Sequence, residues 1–400
     1  MAKTMDAARQ QAFEKLHINI NHRAILCLDG GGMRGILTIQ LLKKLEETAG
    51  MPCYQLFDMV AGTSTGGIIA GLITSGHTAL QIETLYENLV TEVFDKRFLG
   101  NRFVNPPAFT KEKYREQLKG VVNDVTIQDA CSKNDIDLMI TSQDLAAGEE
   151  TFFSCFKQTD GSFYGTYKDV LLRAAMETTM SAPTYFYPLE RFVDGGTTTY
   201  NNPSLAAYME AVSYSSATKT PESFQYKVNE ICLFSFGTGI SRQFIKAAET
   251  TTIKDNNIVF WLNWIMTATG QDASAMQVDV LRSPMVQAVV DFRRFQISLD
   301  PAAMQLLPDT DTLDETKYHT KSLHALTTDV LGNIDMADVT RFDLMQIIGT
   351  QMAEFIMTKG GAFTTDMAVN GRDTLVTAFG DIATIQKQLS DAAWLDGFKA

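Results

Sequence analysis

A serine set between glycines is the first place in this sequence where side chains could do chemistry. Gly62-Thr63-Ser64-Thr65-Gly66 follows an apolar, strand-like run from Phe57 to Ala61 and precedes a segment of helical character from Gly66 to Thr74. G-x-S-x-G between a strand and a helix is the pattern of a nucleophile elbow. Gly62 and Gly66 remove side chains that would clash in the sharp turn, so the Ser64 hydroxyl projects from the sheet. The helix N-terminus behind it favours negative charge. The other reading of the pattern is a glycine-lined turn in which Ser64 caps the helix.

A serine hydroxyl needs a base to take its proton. Five histidines are available: His17, His22, His77, His319 and His324. The first two precede the glycine-rich stretches, His77 lies in a loop one helix beyond Ser64, and the last two sit in the C-terminal part. A carboxylate is the other candidate, in Phe192-Val193-Asp194-Gly195-Gly196, followed by Asn201-Asn202-Pro203. With Gly195 and Gly196 beside it, Asp194 leaves room for a second side chain and can accept a proton directly from Ser64 if the two lie within about 3 Å. In isolation D-G-G is a turn.

A third stretch, Leu26-Cys27-Leu28-Asp29-Gly30-Gly31-Gly32-Met33-Arg34-Gly35, runs from a strand through glycines into a helix. Gly30, Gly32 and Gly35 satisfy G-x-G-x-x-G, in which backbone N–H groups approach a pyrophosphate. A dinucleotide site also requires an acid at the end of the second strand. Here that strand ends at Ala61-Gly62, and Glu46 and Glu47 fall inside the expected helix. What survives is a set of closely spaced N–H donors and Arg34 aimed at an anion, which could equally be a developing oxyanion.

The elements that must position these groups alternate along the first 240 residues, short β-branched runs with segments of helical period, which predicts a mainly parallel sheet covered by helices. Strands are expected at Ala24 to Leu28, Phe57 to Ala61, Ile136 to Thr141, Thr151 to Phe156 and Ile231 to Phe236. Helices are expected at Gly35 to Thr48, Gly66 to Thr74, Leu80 to Phe94, Lys111 to Leu118, Tyr167 to Thr179 and Pro203 to Ser213. Beyond Thr238 the texture changes. Ala247 to Asn257 reads as a flexible connection. Ile258 to Thr267, Asp272 to Phe292, Thr320 to Leu331 and Val339 to Met357 look helical, with one strand-like run from Phe295 to Leu299. The expected divisions are an N-terminal segment 1–22, a core 23–240 and a mostly helical region 241–400 serving packing, oligomerisation or regulation.

Composition bounds what such a chain can bind. Hydrophobic residues make up 45% and charged ones 20%, so a sizeable core can form. With 34 Lys+Arg against 47 Asp+Glu the net charge is −13, which argues against a broad nucleic-acid surface. An anionic ligand therefore needs a local basic pocket. Arg282, Arg293, Arg294 and Arg341 could furnish one, although scattered solvated arginines are the simpler account. No stretch reaches the roughly eighteen apolar residues of a membrane span, and the first twenty residues lack a secretory layout. Five widely spaced cysteines without C-x-x-C pairs read as reduced core residues of a cytoplasmic protein and not as a zinc site.

Taken together, the three stretches resemble the patatin-like phospholipases, including the calcium-independent phospholipase A2 enzymes. The resemblance rests on Asp29-Gly30-Gly31-Gly32-Met33-Arg34-Gly35, on Gly62-Thr63-Ser64-Thr65-Gly66, and on Asp194-Gly195-Gly196. Ser181-Ala182-Pro183-Thr184-Tyr185-Phe186 and Ser235-Phe236-Gly237-Thr238-Gly239 support it, and it covers roughly Arg23 to Gly239. It implies a three-layer α/β/α fold, a Ser64–Asp194 dyad without histidine, and an oxyanion hole from Gly30, Gly31, Gly32 and Arg34. It further implies hydrolysis of fatty-acyl esters of membrane phospholipids through an acyl-enzyme, with no cofactor and no metal.

Peripheral membrane contact and homo-oligomerisation are expected alongside, and Phe260 to Met266, with Trp261 and Trp264, could supply an interfacial contact or a lid, although a core-facing or subunit-facing helix is the simpler account. Some bacterial members of the family are switched on by cyclic dinucleotides in antiphage defence, which makes a cyclic nucleotide a candidate activator. Two rival readings remain at this stage. One is an α/β-hydrolase in which His319 or His324 completes a Ser-His-Asp triad with Ser64 and an intervening acid; the other is a non-catalytic nucleotide-binding module built on Gly30 to Gly35.

Overall fold

A computed structural model describes residues 3–93, 111–183, 185–216, 226–240, 258–332, 334–369 and 382–397. Nine strands make one mixed sheet: β1 Arg23–Leu28, β2 Met59–Gly62, β3 Asp137–Asp144, β4 Glu149–Lys157, β5 Phe163–Tyr164, β6 Phe192–Asp194, β7 Ile231–Phe236, β8 Val290–Ile297 and β9 Met367–Val369. Their order is β5-β4-β3-β2-β1-β7-β8-β9, with β6 beside β3. From β3 to β9 every neighbouring pair is parallel; β4, β5 and β6 join antiparallel. A parallel strand is covered on both faces, which is why β1 and β7 read as unbroken apolar runs. Alternate residues of β1 serve two separate cores, Leu26 and Leu28 on one face and Ile25 and Cys27 on the other. The result is three layers, helix on sheet on helix.

Two short helices decide how closely the glycine-bounded stretches singled out in the sequence can pack. Thr65–Thr74 is buried along its whole length. A Cβ on its Gly67 would stand 2.7 Å from Thr179 Cγ2, and one on Gly71 2.8 Å from Met176 Sδ, so both glycines let it lie directly on helix Leu172–Thr179. Helix Gly35–Ala49 closes on Gly50 in the left-handed conformation, φ 76°.

The five core strands fall where the alternation expects them, within a few residues, as do helices Gly35–Ala49, Thr65–Thr74, Ala79–Val93, Glu112–Val122 and Ser204–Ser216. Differences concentrate where local chemistry overrides period. The helix expected from Tyr167 begins only at Leu172, because residues before it pair with the chain entering helix Ile127–Asn134: Ile127 N–H donates to Val170 O at 2.9 Å and Leu172 N–H to Val125 O at 3.0 Å. Thr320 to Leu331 forms only a single 3₁₀ turn at Leu323–Ala325 and one short helix at Thr328–Leu331. There the Ser322 hydroxyl and the His324 N–H bond the Asp309 carboxylate at 2.8 and 3.2 Å, a local alternative to helix. The N-terminal segment carries an unexpected helix, Ala7–Lys15, capped by Asp6.

The C-terminal region departs further from expectation. It is not only an appendage of helices: its β8 and β9 complete the central sheet against β7. The helix expected over Asp272 to Phe292 stops at Leu281, where Ser283-Pro284 interrupts it, and Val290 to Phe292 already belong to β8. Helix Phe342–Lys359 lies on helix Gly35–Ala49 so closely that a Cβ on Gly349 would sit 2.8 Å from Leu37 Cα. Phe234, Phe236 and Phe295 stack across β7 and β8, and Phe363, in the turn before β9, meets them tilted and edge-on, with neighbouring centroids 5.0 to 6.5 Å apart. The connection expected at Ala247 to Asn257 lies outside the described residues. Phe260 to Met266 fall in helix Ile258–Leu281, but their side chains also lie outside what is described. Among the described residues no helix is long and apolar enough to cross a membrane.

Candidate active site

Strand β3 brings the reactive groups together. Gly62, the last residue of β2, is paired with Ile140 of β3. Asp194, the last residue of β6, is paired with Ser142, two positions further along. β2 and β6 thus meet nearly end to end on one edge of β3, about 7 Å apart along the strand. A residue leaving β2 and a residue leaving β6 share that gap.

Ser64 fills it from one side. Its backbone, φ 53° and ψ −123°, lies outside the regions ordinary residues favour, as a nucleophile elbow requires. The turn is tight enough that a Cβ on Gly62 would stand 2.2 Å from Gly66 O, and a Cβ on Gly66 2.2 Å from Leu28 O. The Ser64 N–H donates to Thr179 Oγ1 at 2.7 Å, which holds the turn against the neighbouring helix. Ser64 stands at the N-cap position but makes no side-chain capping bond. Its Oγ donates instead to Asp194 Oδ2 at 2.7 Å.

Asp194 is 4% exposed. Its other oxygen, Oδ1, accepts the Gly196 N–H at 2.6 Å, so both carboxylate oxygens are fixed. Gly195 packs on Thr141, where a Cβ would meet Thr141 Oγ1 at 2.1 Å. Burial pushes the Asp194 carboxyl up to about 7, while the Ser64 and Gly196 hydrogen bonds and the charge of Lys111 pull it down. Lys111 is itself buried, donates to Ser181 Oγ at 2.5 Å and lies 3.5 Å from Glu177.

The pH consequences follow directly. If Asp194 serves Ser64 as a base, any turnover that depends on the pair should rise through about pH 7 and level off above it, because a base works only when deprotonated. The same carboxyl costs stability. Its raised folded-state value means the stabilising contribution is complete below the ordinary carboxyl range and is lost as pH climbs to about 7. Asp194→Asn should therefore melt higher than the wild type at pH 8, with the gap narrowing toward pH 4; equal melting temperatures at pH 8 would contradict the buried-carboxylate account.

The glycine loop after β1 lies beside Ser64: a Cβ on Gly30 would be 3.2 Å from Ser64 Cβ. Each of its carbonyls is held. Gly30 O accepts the Thr238 hydroxyl at 2.8 Å, Gly31 O accepts Arg34 Nε at 3.4 Å, and Gly32 O accepts the Tyr86 hydroxyl. In a trans peptide the N–H points opposite the preceding carbonyl. Fixing the Gly30 and Gly31 carbonyls therefore turns the N–H groups of Gly31 and Gly32 the other way, and neither has an acceptor among the described residues. Gly32 lines the same cleft as Ser64 and Asp194. The expected contributors divide accordingly. The Gly30 N–H is already committed to Asn201 O at 3.0 Å, and Arg34, with its side chain on Gly31 O, orients the loop.

The cleft above the pair is apolar, walled by Ile68, Leu89, Val90, Val93, Met180 and Phe186, with Met336 beside Gly32. Among the described residues no histidine bonds Ser64 or Asp194. His324 Nε2 lies 2.8 Å from Leu307 O and His77 Nδ1 3.1 Å from Leu72 O. The four arginines do not form one pocket either, since Arg282 pairs with Asp366, Arg293 with Asp291, Arg294 with Asp29 and Arg341 with Asp338. No group of three or more His, Cys, Asp or Glu suited to a metal occurs among the described residues. Nothing in the sequence marks Thr179 or Tyr86 beyond membership of an expected helix, and Thr238 stands in the supporting stretch Ser235 to Gly239.

Comparison with known proteins bears on the same residues. Residues 26–208 match the family model for patatin-like phospholipase. The 85/88 kDa calcium-independent phospholipase A2 of Mus musculus is 34% identical over 209 residues, 48% of this chain and 24% of that protein. A cGAMP-activated phospholipase of Escherichia coli (strain TW11681) is 30% identical over 203 residues, 46% of this chain and 55% of the relative. A cUMP-AMP-activated phospholipase of Escherichia coli is 40% identical over 99 residues, 25% of this chain and 31% of the relative. The chain thus spans between about a quarter and just over half of the lengths of these relatives.

Proposed function

We propose, from the premise that residues 26–208 carry a patatin-like phospholipase domain, that this chain hydrolyses fatty-acyl esters of phospholipids by a Ser64–Asp194 dyad. The observation that carries the reading is the 2.7 Å hydrogen bond from Ser64 Oγ to Asp194 Oδ2 at the foot of an apolar cleft. Ser64 Oγ attacks the ester carbonyl carbon as its proton passes to Asp194. The carbonyl oxygen becomes an oxyanion facing the Gly31 and Gly32 N–H groups. Collapse of that intermediate breaks the ester bond, and the leaving lysolipid oxygen takes the proton from Asp194. Water then gives a proton to Asp194, attacks the acyl-serine, and releases the fatty acid as Ser64 regains its hydrogen. A carboxylate is a weak base, so stabilisation of the oxyanion carries much of the rate; one such donor is worth about a hundredfold to a thousandfold.

Liposomes of defined headgroup, incubated with the wild type and with Ser64→Ala in EDTA, test this by release of free fatty acid. Release by the wild type alone is the expected outcome, because N–H donors polarise the carbonyl in this scheme and chelation leaves them in place. Turnover confined to soluble short-chain esters would remove phospholipid as the substrate. Failure of a fluorophosphonate to label Ser64 would leave a binding module. We extend the proposal to contact with the membrane surface and to activation by a cyclic dinucleotide, the latter on the strength of the names of the Escherichia coli relatives. Titrating cyclic dinucleotides during the liposome assay decides the second point, and flat activity across the panel ends it.

A further inference from the structure

The glycine loop leaves β1 at Asp29, a carboxylate only 3% exposed, and its partner comes from far along the chain. Arg294 of β8, also 3% exposed, donates through Nη1 to Asp29 Oδ1 at 2.7 Å and through Nη2 to Asp29 Oδ2. This is the two-pronged geometry that fixes a carboxylate plane as well as neutralising it. Arg294 Nη1 also donates to Ser235 Oγ at 2.7 Å. Ser235 Oγ in turn lies 2.7 Å from Ser204 Oγ, whose hydroxyl donates to Asn202 Oδ1 at 2.5 Å. Asn202 follows Asn201, whose carbonyl holds the Gly30 N–H. One guanidinium thus anchors both the residue before the glycine loop and the turn that receives the loop's first N–H.

Arg294 is itself held in register from outside. Its backbone N–H donates to Asp366 Oδ1 at 2.8 Å, and Asp366 is gripped by Arg282 at 2.6 and 2.9 Å. These residues lie beyond the stretch that matches the family model, residues 26–208. We propose that Arg294 is a positioning residue of the oxyanion loop: by fixing the Asp29 carboxylate it sets the direction in which Gly30, Gly31 and Gly32 depart from β1, so the C-terminal region takes part in catalysis. It touches no reacting atom and acts only through the loop. The inference rests on the hydrolase reading above.

The test uses the full chain and a soluble short-chain ester, comparing wild type, Ser64→Ala, Arg294→Lys and the double variant Asp29→Asn/Arg294→Met. The double variant removes both buried charges together, which avoids stranding one of them unpaired. Turnover by the wild type that Ser64→Ala abolishes secures the hydrolase reading separately; its absence both with and without the cyclic dinucleotide panel would sink that reading, and the inference with it. Given turnover, Arg294→Lys and the double variant are expected to lower kcat by about a hundredfold with KM within about twofold, the mark of an interaction made only in the transition state. Fluorophosphonate labelling of Ser64 should slow in parallel while circular dichroism stays that of the wild type. Wild-type kcat in either folded variant overturns the proposal. So does a proportionate loss of kcat, of ellipticity and of melting temperature in both variants, which would make Arg294 a core residue and nothing more.

Discussion

Ser64→Ala and Asp194→Asn should each lower kcat on a soluble ester by about 10⁴-fold or more, and the double variant should be little worse than the poorer single one. The expectation comes from geometry in which the two side chains form a unit. Ser64 Oγ has Asp194 Oδ2 at 2.7 Å as its acceptor, and no histidine stands between or behind them among the described residues. Asparagine keeps the shape of Asp194, its oxygen on the Gly196 N–H and its NH2 toward Ser64 Oγ, but it cannot take the proton. A folded Asp194→Asn protein, verified by circular dichroism, with undiminished turnover would show that another base serves Ser64. The same variant should gain stability at alkaline pH while losing activity, because the wild type holds an ionisable group under burial that raises its pKa to about 7. A mutation that only damaged the fold would move both quantities downward.

The second large effect belongs to the glycine loop. Gly32→Ala should reduce kcat by about 10²- to 10³-fold with little change in KM, the scale of losing one oxyanion donor. Gly32 has φ +56°, and a Cβ there would stand 2.3 Å from the backbone oxygen of Met336. That oxygen is not free to retreat, since it accepts the Met33 N–H at 2.7 Å. The loop must shift, and the N–H of Gly32 shifts with it. Gly120→Ala makes the control: Gly120 lies in helix Glu112–Val122 with nothing within 4 Å of an added Cβ. Alanine there should leave kcat unchanged and favour the helix slightly. Equal losses in both variants would refute the loop's role.

How much of this was legible beforehand differs between the parts of the site. Ser64 and its two glycines announce themselves because an elbow is a local object: a strand, two residues of turn and a helix, all in contiguous sequence. The helix expected from Tyr167 starts late for the converse reason: its backbone partner near Val125 is remote in sequence and leaves no trace in local periodicity. The long helix expected through Phe292 stops at Leu281, before Ser283-Pro284, and Val290 to Phe292 pair with β7 instead.

The sequence by itself determined the chemistry on offer: an activated serine turn, a carboxylate in a glycine setting and a run of N–H donors, together with the alternation that makes a parallel sheet. Only the tertiary structure decided which of these meet. The ends of β2 and β6 face each other because both lie against β3, so Ser64 finds Asp194 across 130 residues of chain. Tertiary structure also decided that Arg294 closes on Asp29, 265 positions away, and that Gly31 and Gly32, and not Gly30, keep their N–H groups unspent. Residue type and short-range spacing record what a side chain can do, whereas the partner it acts with is set by strand register, which arises only when the sheet assembles.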